Sequence, residues 1–315
     1  MNELTEISSH AFRSLHLLHE LTLQNNHLKQ VPFEALQNLR NLRSLRLDAN
    51  FLSHVPASSF RGLRSLRHLW LDDNVLTAVP VRALRDLTEL QALTLAVNKI
   101  SRVPDGAFSS LTQLLVLHLH DNRIHSLGRR SFDGLYNLET LDLSFNWINS
   151  FSGAIKHLNN LRELNLQNNN ISVVPADAFS GNPSISTINL KNNPVHSVGH
   201  SSLQLLPDPQ TMFLSGQGLT GSVDFTGTNR LETLKSDQLF TFTFMVHHRE
   251  DGSSKRTAVM ATCSLGVPGQ TVSVGPVGTL IQDLLSSEVS SSCSSCSSFS
   301  VCDIEDEEVK QTSAD

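Results

Sequence analysis

The stretch Leu42–Leu52, LRSLRLDANFL, sets the pattern for most of this 315-residue chain. Leucines fill four of its positions, and Asn50 stands two residues before the last of them. The same frame returns almost every 24 residues, with its asparagine at Asn26, Asn50, Asn74, Asn98, Asn122, Asn146, Asn169 and Asn193. A fixed period of this length predicts one small structural unit that is repeated and stacked along the chain.

The frame L-x-x-L-x-L-x-x-N-x-L is that of a leucine-rich repeat, in which each turn adds one short parallel strand to a curved solenoid. Eight turns fit it well, a ninth near Met212 has Gln217 in place of asparagine, and a tenth would begin at Leu231. We therefore predict an α/β solenoid, a leucine-rich repeat horseshoe with a parallel concave β-sheet, over residues 1–235. A largely disordered tail is expected over residues 236–315, because its serine-rich and acidic composition cannot bury enough apolar area to fold.

The return half of each turn carries a second periodic feature, an apolar residue that is often phenylalanine. We predict that these residues stack as a spine behind the strands: Phe12, Leu36, Phe60, Leu84, Phe108, Phe132, Ile155, Phe179 and Leu203. The sixth turn breaks the pattern at Phe151-Ser152-Gly153, and the next step is 23 residues. A local change in curvature is expected there.

Bulk properties narrow the function classes. A net charge of −6 argues against nucleic acid as a partner. No apolar run approaches the roughly 18 residues that span a bilayer, so direct membrane insertion of this chain is not expected. All four cysteines stand in the tail, and no cofactor or structural metal is predicted. The sequon Asn170-Ile171-Ser172 predicts one N-glycosylation site, at Asn170.

The start of the chain, Met1-Asn2-Glu3-Leu4, lacks the basic and apolar segments of a signal peptide. Asn2 and Leu4 instead match the N-x-L of the repeat, one period before Asn26 and Leu28. The chain is therefore expected to open within a repeat and to be a fragment of a longer protein.

Alternation along each strand predicts which side chains line the concave side. In x-L-x-L-x the leucines face the core and the x residues face the opposite way. Three residues per turn should therefore be displayed: Glu20, Thr22 and Gln24; Ser44, Arg46 and Asp48; His68, Trp70 and Asp72; Ala92, Thr94 and Ala96; Val116, His118 and His120; Thr140, Asp142 and Ser144; Glu163, Asn165 and Gln167; Thr187, Asn189 and Lys191.

Trp70 stands out in this set as a large aromatic residue on a surface that water would otherwise cover. Charged residues on its own and the preceding strand flank it, and small apolar residues follow: Arg46, Asp48 and Asp72, then Ala92, Ala96 and Val116. An aromatic anchor beside charge and a shallow apolar floor is typical of a protein–protein hot spot. The alternative is that Trp70 merely leans on neighbouring side chains.

Catalysis and metal binding have little support in the sequence. His118 and His120 project from one strand face, and Asp142 is a conceivable third ligand for zinc. Asp48 and Asp72 could imitate a pair of catalytic carboxylates, but we expect an open surface that leaves their pKa values unperturbed. No hydrolase, zinc-protease, P-loop or dinucleotide-binding motif is present. The chain is predicted not to be an enzyme.

Several segments, including variable concave positions, resemble one group of cell-surface receptors: Leu93–Ile100, Leu117–Leu127, Phe132–Leu135, Leu138–Leu143 and Gly181–Ser184. These segments are similar to the ectodomain of the leucine-rich repeat-containing G-protein-coupled receptors that bind R-spondins. The resemblance covers about Leu4 to Leu234. It leaves the signal peptide, cysteine cap, hinge and seven transmembrane helices of the family outside this sequence.

The resemblance implies that an R-spondin lies on the concave face and links the receptor to membrane ubiquitin ligases, which potentiates Wnt signalling at the extracellular face of the plasma membrane. By the resemblance the contact surface is Arg46, Asp48, His68, Trp70, Asp72, Ala92, Val116 and Glu139, to which we add the concave neighbours Thr94 and His118. Two other readings stay open: a secreted or matrix-attached adhesion protein, and an intracellular leucine-rich repeat adaptor. A zinc enzyme is a remote third.

Overall fold

The computed structural model describes residues 2–151, 153–199 and 202, together with five strands that lie farther along the chain. The strands are, in chain order, β1 (Glu20–Thr22), β2 (Ser44–Arg46), β3 (His68–Trp70), β4 (Ala92–Thr94), β5 (Arg102–Val103), β6 (Val116–His118), β7 (Ser126–Leu127), β8 (Thr140–Asp142), β9 (Glu163–Asn165), β10 (Val173–Val174), β11 (Thr187–Leu190), β12 (Ser197–Val198), β13 (Thr211–Leu214), β14 (Thr233–Lys235), β15 (Phe240–Arg249), β16 (Arg256–Leu265) and β17 (Cys296–Ile304).

One ten-stranded parallel sheet runs the length of the array, in the order β1-β2-β3-β4-β6-β8-β9-β11-β13-β14. Its register repeats the sequence period, because Leu45 lies opposite Leu69, Leu69 opposite Leu93, and Leu93 opposite Leu117. Equivalent residues of successive turns are therefore direct neighbours on parallel strands, one strand spacing of about 4.8 Å apart. The predicted solenoid with a parallel sheet is confirmed.

The return halves of the turns are short and varied. Single helical turns, α1 (Phe33–Leu36) and α2 (Val81–Leu84), follow Pro32 and Pro80, since proline is tolerated at the start of a helix. Two small parallel pairs, β5 with β7 and β10 with β12, join other turns. A 3₁₀ helix, Gly153–His157, lies where the sequence pattern breaks; the predicted change in curvature there stays a prediction.

Leucines of the frame and the apolar spine form one continuous core. Phe60, Phe108, Phe132 and Phe179 are fully buried, and the rings of Phe108 and Phe132 are nearly parallel with centroids 6.2 Å apart. This confirms the spine for these turns. Phe12 is only partly buried against the core, and Leu203 lies outside the described residues.

The recurring asparagine forms a hydrogen-bonded ladder between turns. At Asn122, Oδ1 accepts the backbone N–H of Ile100 at 2.9 Å, while Nδ2 donates to the carbonyls of Leu95, Leu119 and His120 at 2.9 to 3.3 Å. The residue before each ladder asparagine has a positive φ, between 49° and 56°. The turn that ends each strand is thus the same in every repeat, and the buried amide satisfies the backbone groups of two turns.

The first residues follow the same rule. The N–H of Leu4 donates to Oδ1 of Asn26 at 3.2 Å, just as the N–H of Leu28 donates to Asn50. The N–H of Asn2 donates to the carbonyl of Asn25 at 3.1 Å. The alignment of Asn2 and Leu4 with the repeat frame is therefore confirmed.

Beyond the array, β15, β16 and β17 form an antiparallel sheet. The first of these strands, β15, contains Thr241–Val246, where phenylalanine and threonine alternate. The domain boundary at residue 235 stays a prediction. Within the described part of the chain, no helix has the length and apolarity needed to cross a bilayer.

Candidate functional site

The concave surface is built from the residues that flank the buried leucine of each strand. In β2, β3, β4, β6 and β8 the central leucine is buried and its two neighbours are half-buried. Two rows of side chains therefore cross the sheet. The first is Ser44, His68, Ala92, Val116 and Thr140, and the second is Arg46, Trp70, Thr94, His118 and Asp142.

Trp70 lies close to two polar side chains on this surface, Arg46 and His68. The guanidinium carbon of Arg46, on β2, lies 5.4 Å from the centroid of the indole, which is the geometry of a cation–π contact. The centroid of the His68 ring lies 5.8 Å from the indole centroid. Trp70 is half-buried, so part of its ring still faces solvent. The structure thus brings Arg46, His68 and Trp70 together as predicted from the alternation.

Asp48 was expected to be exposed on the concave surface, but its side chain is buried against Arg46. Its carboxylate accepts two hydrogen bonds from Arg46, from Nε at 3.0 Å and Nη2 at 2.8 Å, and the residue is only 6% exposed. This hydrogen bonding raises the pKa of Arg46, whose guanidinium stays charged. Asp48 therefore holds Arg46 over the indole, and it presents little of its own surface to a ligand.

The pKa of Asp72 differs from the unperturbed value expected for an open surface. Burial raises the pKa of Asp72 above its usual value, and the nearby charge of Asp48 acts in the same direction. Its Oδ1 is buried and has no hydrogen-bond partner within the described structure. The prediction that nothing perturbs these carboxylates was wrong for Asp72, because the third displayed position lies past the strand, where adjacent turns pack closely.

Ala92, Thr94, Val116 and His118 continue the surface beyond Trp70 and are all half-buried. Ala96, which was predicted to join the apolar patch, is only 1% exposed. The apolar floor is therefore formed by Ala92 and Val116 alone.

Glu139 is half-buried and lies directly before β8, at the edge of the surface. Its carboxylate is 3.8 Å from Nη1 of Arg162. A role of these residues in binding is not tested by their positions and stays a prediction.

The second histidine of the H-x-H pair, His120, lies close to an acidic residue on the next strand. Nδ1 of His120 lies 3.6 Å from Oδ2 of Asp142, and the rings of His118 and His120 are 5.7 Å apart. In the described residues, no group of three or more His, Cys, Asp and Glu side chains is arranged to hold a metal ion. Asn170, the predicted glycosylation site, is exposed, and its modification stays a prediction.

His118 is expected to make the stability of the array depend on pH. Burial lowers the pKa of His118, against a smaller opposing effect of Asp142. Because the folded pKa lies below the unfolded value of about 6.5, its stabilising contribution is present above that pH and is lost as the pH falls through the lowered pKa. His118→Gln should therefore lose less stability than the wild type between pH 7.5 and pH 5.

Urea unfolding followed by circular dichroism at both pH values measures this difference. The exposed His54 offers a matched control, because His54→Gln should keep the wild-type dependence on pH. If the free energy of unfolding changed equally with pH in His118→Gln and in the wild type, the burial of a neutral imidazole at His118 would be contradicted.

Comparison with known proteins places this geometry in a family. The family model described as "Leucine rich repeat" matches residues 1–50, 40–100, 88–148, 149–195 and 159–219. Similar curated proteins are leucine-rich repeat-containing G-protein coupled receptor 5 of Xenopus tropicalis, 57% identical over 88 residues, receptor 4 of Rattus norvegicus, 52% identical over 88 residues, and receptor 6 of Homo sapiens, 53% identical over 85 residues.

These alignments cover 27 to 28% of this chain and 9 to 10% of each receptor, so the matched part spans about a tenth of the relatives' length. Among solved structures, a leucine-rich repeat protein of Leptospira interrogans is 32% identical with a TM-score of 0.62, covering 68% of this chain and 53% of its own. A chain of the Toll–Spatzle complex of Drosophila is 27% identical with a TM-score of 0.59, covering 68% of this chain and 30% of its own.

The repeat period, the parallel sheet and the family match agree over more than half of the sequence. The chain belongs to the leucine-rich repeat family, and a stretch of 85 to 88 residues in it is similar to leucine-rich repeat-containing G-protein coupled receptors.

Proposed function

We propose that the array is the extracellular protein-binding module of a receptor, and that its concave surface captures an R-spondin-like ligand. In the full-length receptor this module would stand at the outer face of the plasma membrane. The ligand would in turn engage a membrane ubiquitin ligase, so that capture potentiates Wnt signalling. The similarity to the receptors named above supports this proposal, as does the composition of the surface around Trp70.

One observation carries the site: the half-exposed indole of Trp70 with the guanidinium of Arg46 held 5.4 Å from its centroid. Tryptophan and arginine are the residues most enriched in binding hot spots. Asp48 fixes Arg46 through two hydrogen bonds. Because the side chain is already held in place, a ligand that binds there loses less free energy to ordering it.

Two neighbouring features favour a protein ligand on the same surface. The small side chain of Ala92 and the half-buried Val116 leave a shallow apolar floor beside the indole. Asp72 is half-buried on the same surface, so its carboxylate can accept a hydrogen bond from a ligand. The combination provides an apolar anchor, a fixed positive charge and an acceptor within neighbouring strands.

The double variant Trp70→Ala with Asp72→Ala is expected to weaken binding of an R-spondin furin-like fragment by about a hundredfold or more, since each removes a hot-spot contact. Biolayer interferometry with the purified full chain, run against each R-spondin paralogue in turn, measures this change. Trp147→Ala is the matched control, because it removes an exposed tryptophan that does not lie on a strand of the sheet. Unchanged affinity of a folded double variant would refute the site.

A further inference from the structure

A second surface lies on the rim of the horseshoe, where the chain leaves each strand. Every turn contributes two residues to it, one before and one after the ladder asparagine. Those before it have positive φ: Asn25, Ala49, Asp73, Val97, Asp121, Phe145, Asn168 and Asn192. In seven of the eight turns the residue after it donates its N–H to the previous turn, as Lys99 does to Leu76, Arg123 to Ile100 and Trp147 to Ile124. In the eighth turn this residue is Pro194, which has no N–H.

Two residues in the first row are poorly suited to their conformation. Asparagine and aspartate tolerate positive φ, and they fill five of the eight positions. Val97 and Phe145, at φ of 50° and 53°, are β-branched and bulky residues for which this conformation is unfavourable. Strained backbone of this kind tends to be kept where the side chain has a use.

The same two residues are exposed and line a cavity. Val97 is 40% exposed, Phe145 53% and Trp147 60%. Together with Lys99 and Arg123 they border a groove of about 560 Å³, which we call the rim groove. That volume is within the usual range for ligand sites. Apolar side chains that gain little from the core are therefore gathered around one concavity.

Charge in the rim groove is unevenly arranged. Lys99 and Arg123 occupy adjacent turns, and Asp73 and Asp121 are separated by the turn of Val97. None of these four residues makes an ion pair within the described structure. Lys99 and Arg123 each follow a ladder asparagine, whereas Asp73 and Asp121 each precede one, so the basic and the acidic residues form separate rows. Two like charges in adjacent turns repel each other, so the basic row favours a negatively charged occupant that lies along it.

We propose that the rim groove is a second protein-binding site, which takes an extended acidic segment of a partner protein. An apolar side chain of that segment would pack between Val97, Phe145 and Trp147, and its carboxylates would pair with Lys99 and Arg123. From the turn of Asp73 to that of Phe145 is three strand spacings, about 14 Å, which equals some four residues of extended chain. The proposal is independent of ligand binding at Trp70.

The chain holds only two tryptophans, so Trp70→Phe leaves Trp147 as the sole tryptophan reporter. The probes are three blocked synthetic peptides, Gly-Glu-Phe-Glu-Gly, its lysine counterpart Gly-Lys-Phe-Lys-Gly, and Gly-Glu-Gly-Glu-Gly. Titrated into the Trp70→Phe chain at low salt, the first should give a saturable blue shift of Trp147 emission. Its affinity should exceed that of either of the other peptides by about tenfold.

Two variants in this background sharpen the test. Arg123→Glu should reverse the preference in favour of the lysine peptide. Phe145→Asn should weaken binding of the acidic peptide while raising the urea midpoint, because asparagine accepts the positive φ that phenylalanine does not. If Phe145 had only a structural role, Phe145→Asn would lower the urea midpoint, or would leave both the midpoint and the affinity for the acidic peptide unchanged.

Three results would overturn the proposal. The first is no saturable change with the acidic peptide, and the second is equal or tighter binding of the lysine peptide. The third is self-association in sedimentation velocity that Phe145→Asn abolishes, which would make the occupant a second copy of this chain. The R-spondin experiment with the double variant Trp70→Ala and Asp72→Ala tests the other site. Its result, whether binding is lost or kept, does not change any of these three outcomes.

Discussion

Asn122→Ala is expected to destabilise the array by about 3 kcal/mol. The carbonyls of Leu95 and Leu119 would each keep a bond from a neighbouring ladder asparagine. The N–H of Ile100, however, would lose its partner inside the core. A buried unpaired donor costs about 1–3 kcal/mol, and the lost donors and the small cavity add to it.

The urea midpoint, followed by far-UV circular dichroism, measures this loss. Asn149→Ala is the matched control, because it makes the same chemical change at an exposed residue one position past Ile148. Its effect should stay within about 0.5 kcal/mol. If the two variants unfolded at the same midpoint, the ladder would not be a main source of stability.

Gly134→Ala is expected to cost about 3 kcal/mol or more, through two separate causes. Gly134 has a φ of +93°, a conformation that L-residues with a Cβ rarely adopt. A Cβ there would lie 2.5 Å from the carbonyl oxygen of Ser109 in the preceding turn. The backbone of both turns would have to separate, which disturbs the core beneath them.

Gly153→Ala gives the comparison, since a Cβ at Gly153 meets nothing closer than 4.0 Å. That substitution should be neutral or stabilising by up to about 1 kcal/mol, because alanine restricts the unfolded chain. Thermal or urea unfolding of both proteins decides the matter. Equal losses would mean that contact between turns at Gly134 is looser than its geometry indicates.

Much of the fold follows from the period alone. Once Leu45, Leu69 and Leu93 occupy equivalent places in equal turns, their strands can pair only in the observed register. The buried leucines, the phenylalanine spine and the ladder asparagines were predicted for the same reason. The structure of a solenoid is easier to predict from its sequence than that of most folds, because each turn contacts only its neighbours.

The details of the candidate site were less predictable. Alternation placed Arg46, His68 and Trp70 on one surface, but it could not show that Asp48 is hydrogen-bonded to Arg46 or that one carboxylate oxygen of Asp72 is buried. Both facts depend on how side chains of adjacent turns pack, and Ala96 is covered for the same reason. Strand periodicity carries no information about residues that lie just past a strand.

The rim groove was missed although its signal is in the sequence. Most turns place asparagine or aspartate before the ladder residue, so Val97 and Phe145 depart from the expected type. Within the tail, the local alternation of phenylalanine and threonine near Phe240 is typical of a strand.

The hydrogen bonds that join equivalent residues of successive turns also determine how the molecule responds to force. Each junction resembles the next, so bending strain can be shared among many of them rather than concentrated at one hinge. The curvature of the solenoid should therefore increase or decrease by a small change at each repeat. Docking of a rigid body against the inner wall would be accommodated by elastic deformation, without the loss of any single coil.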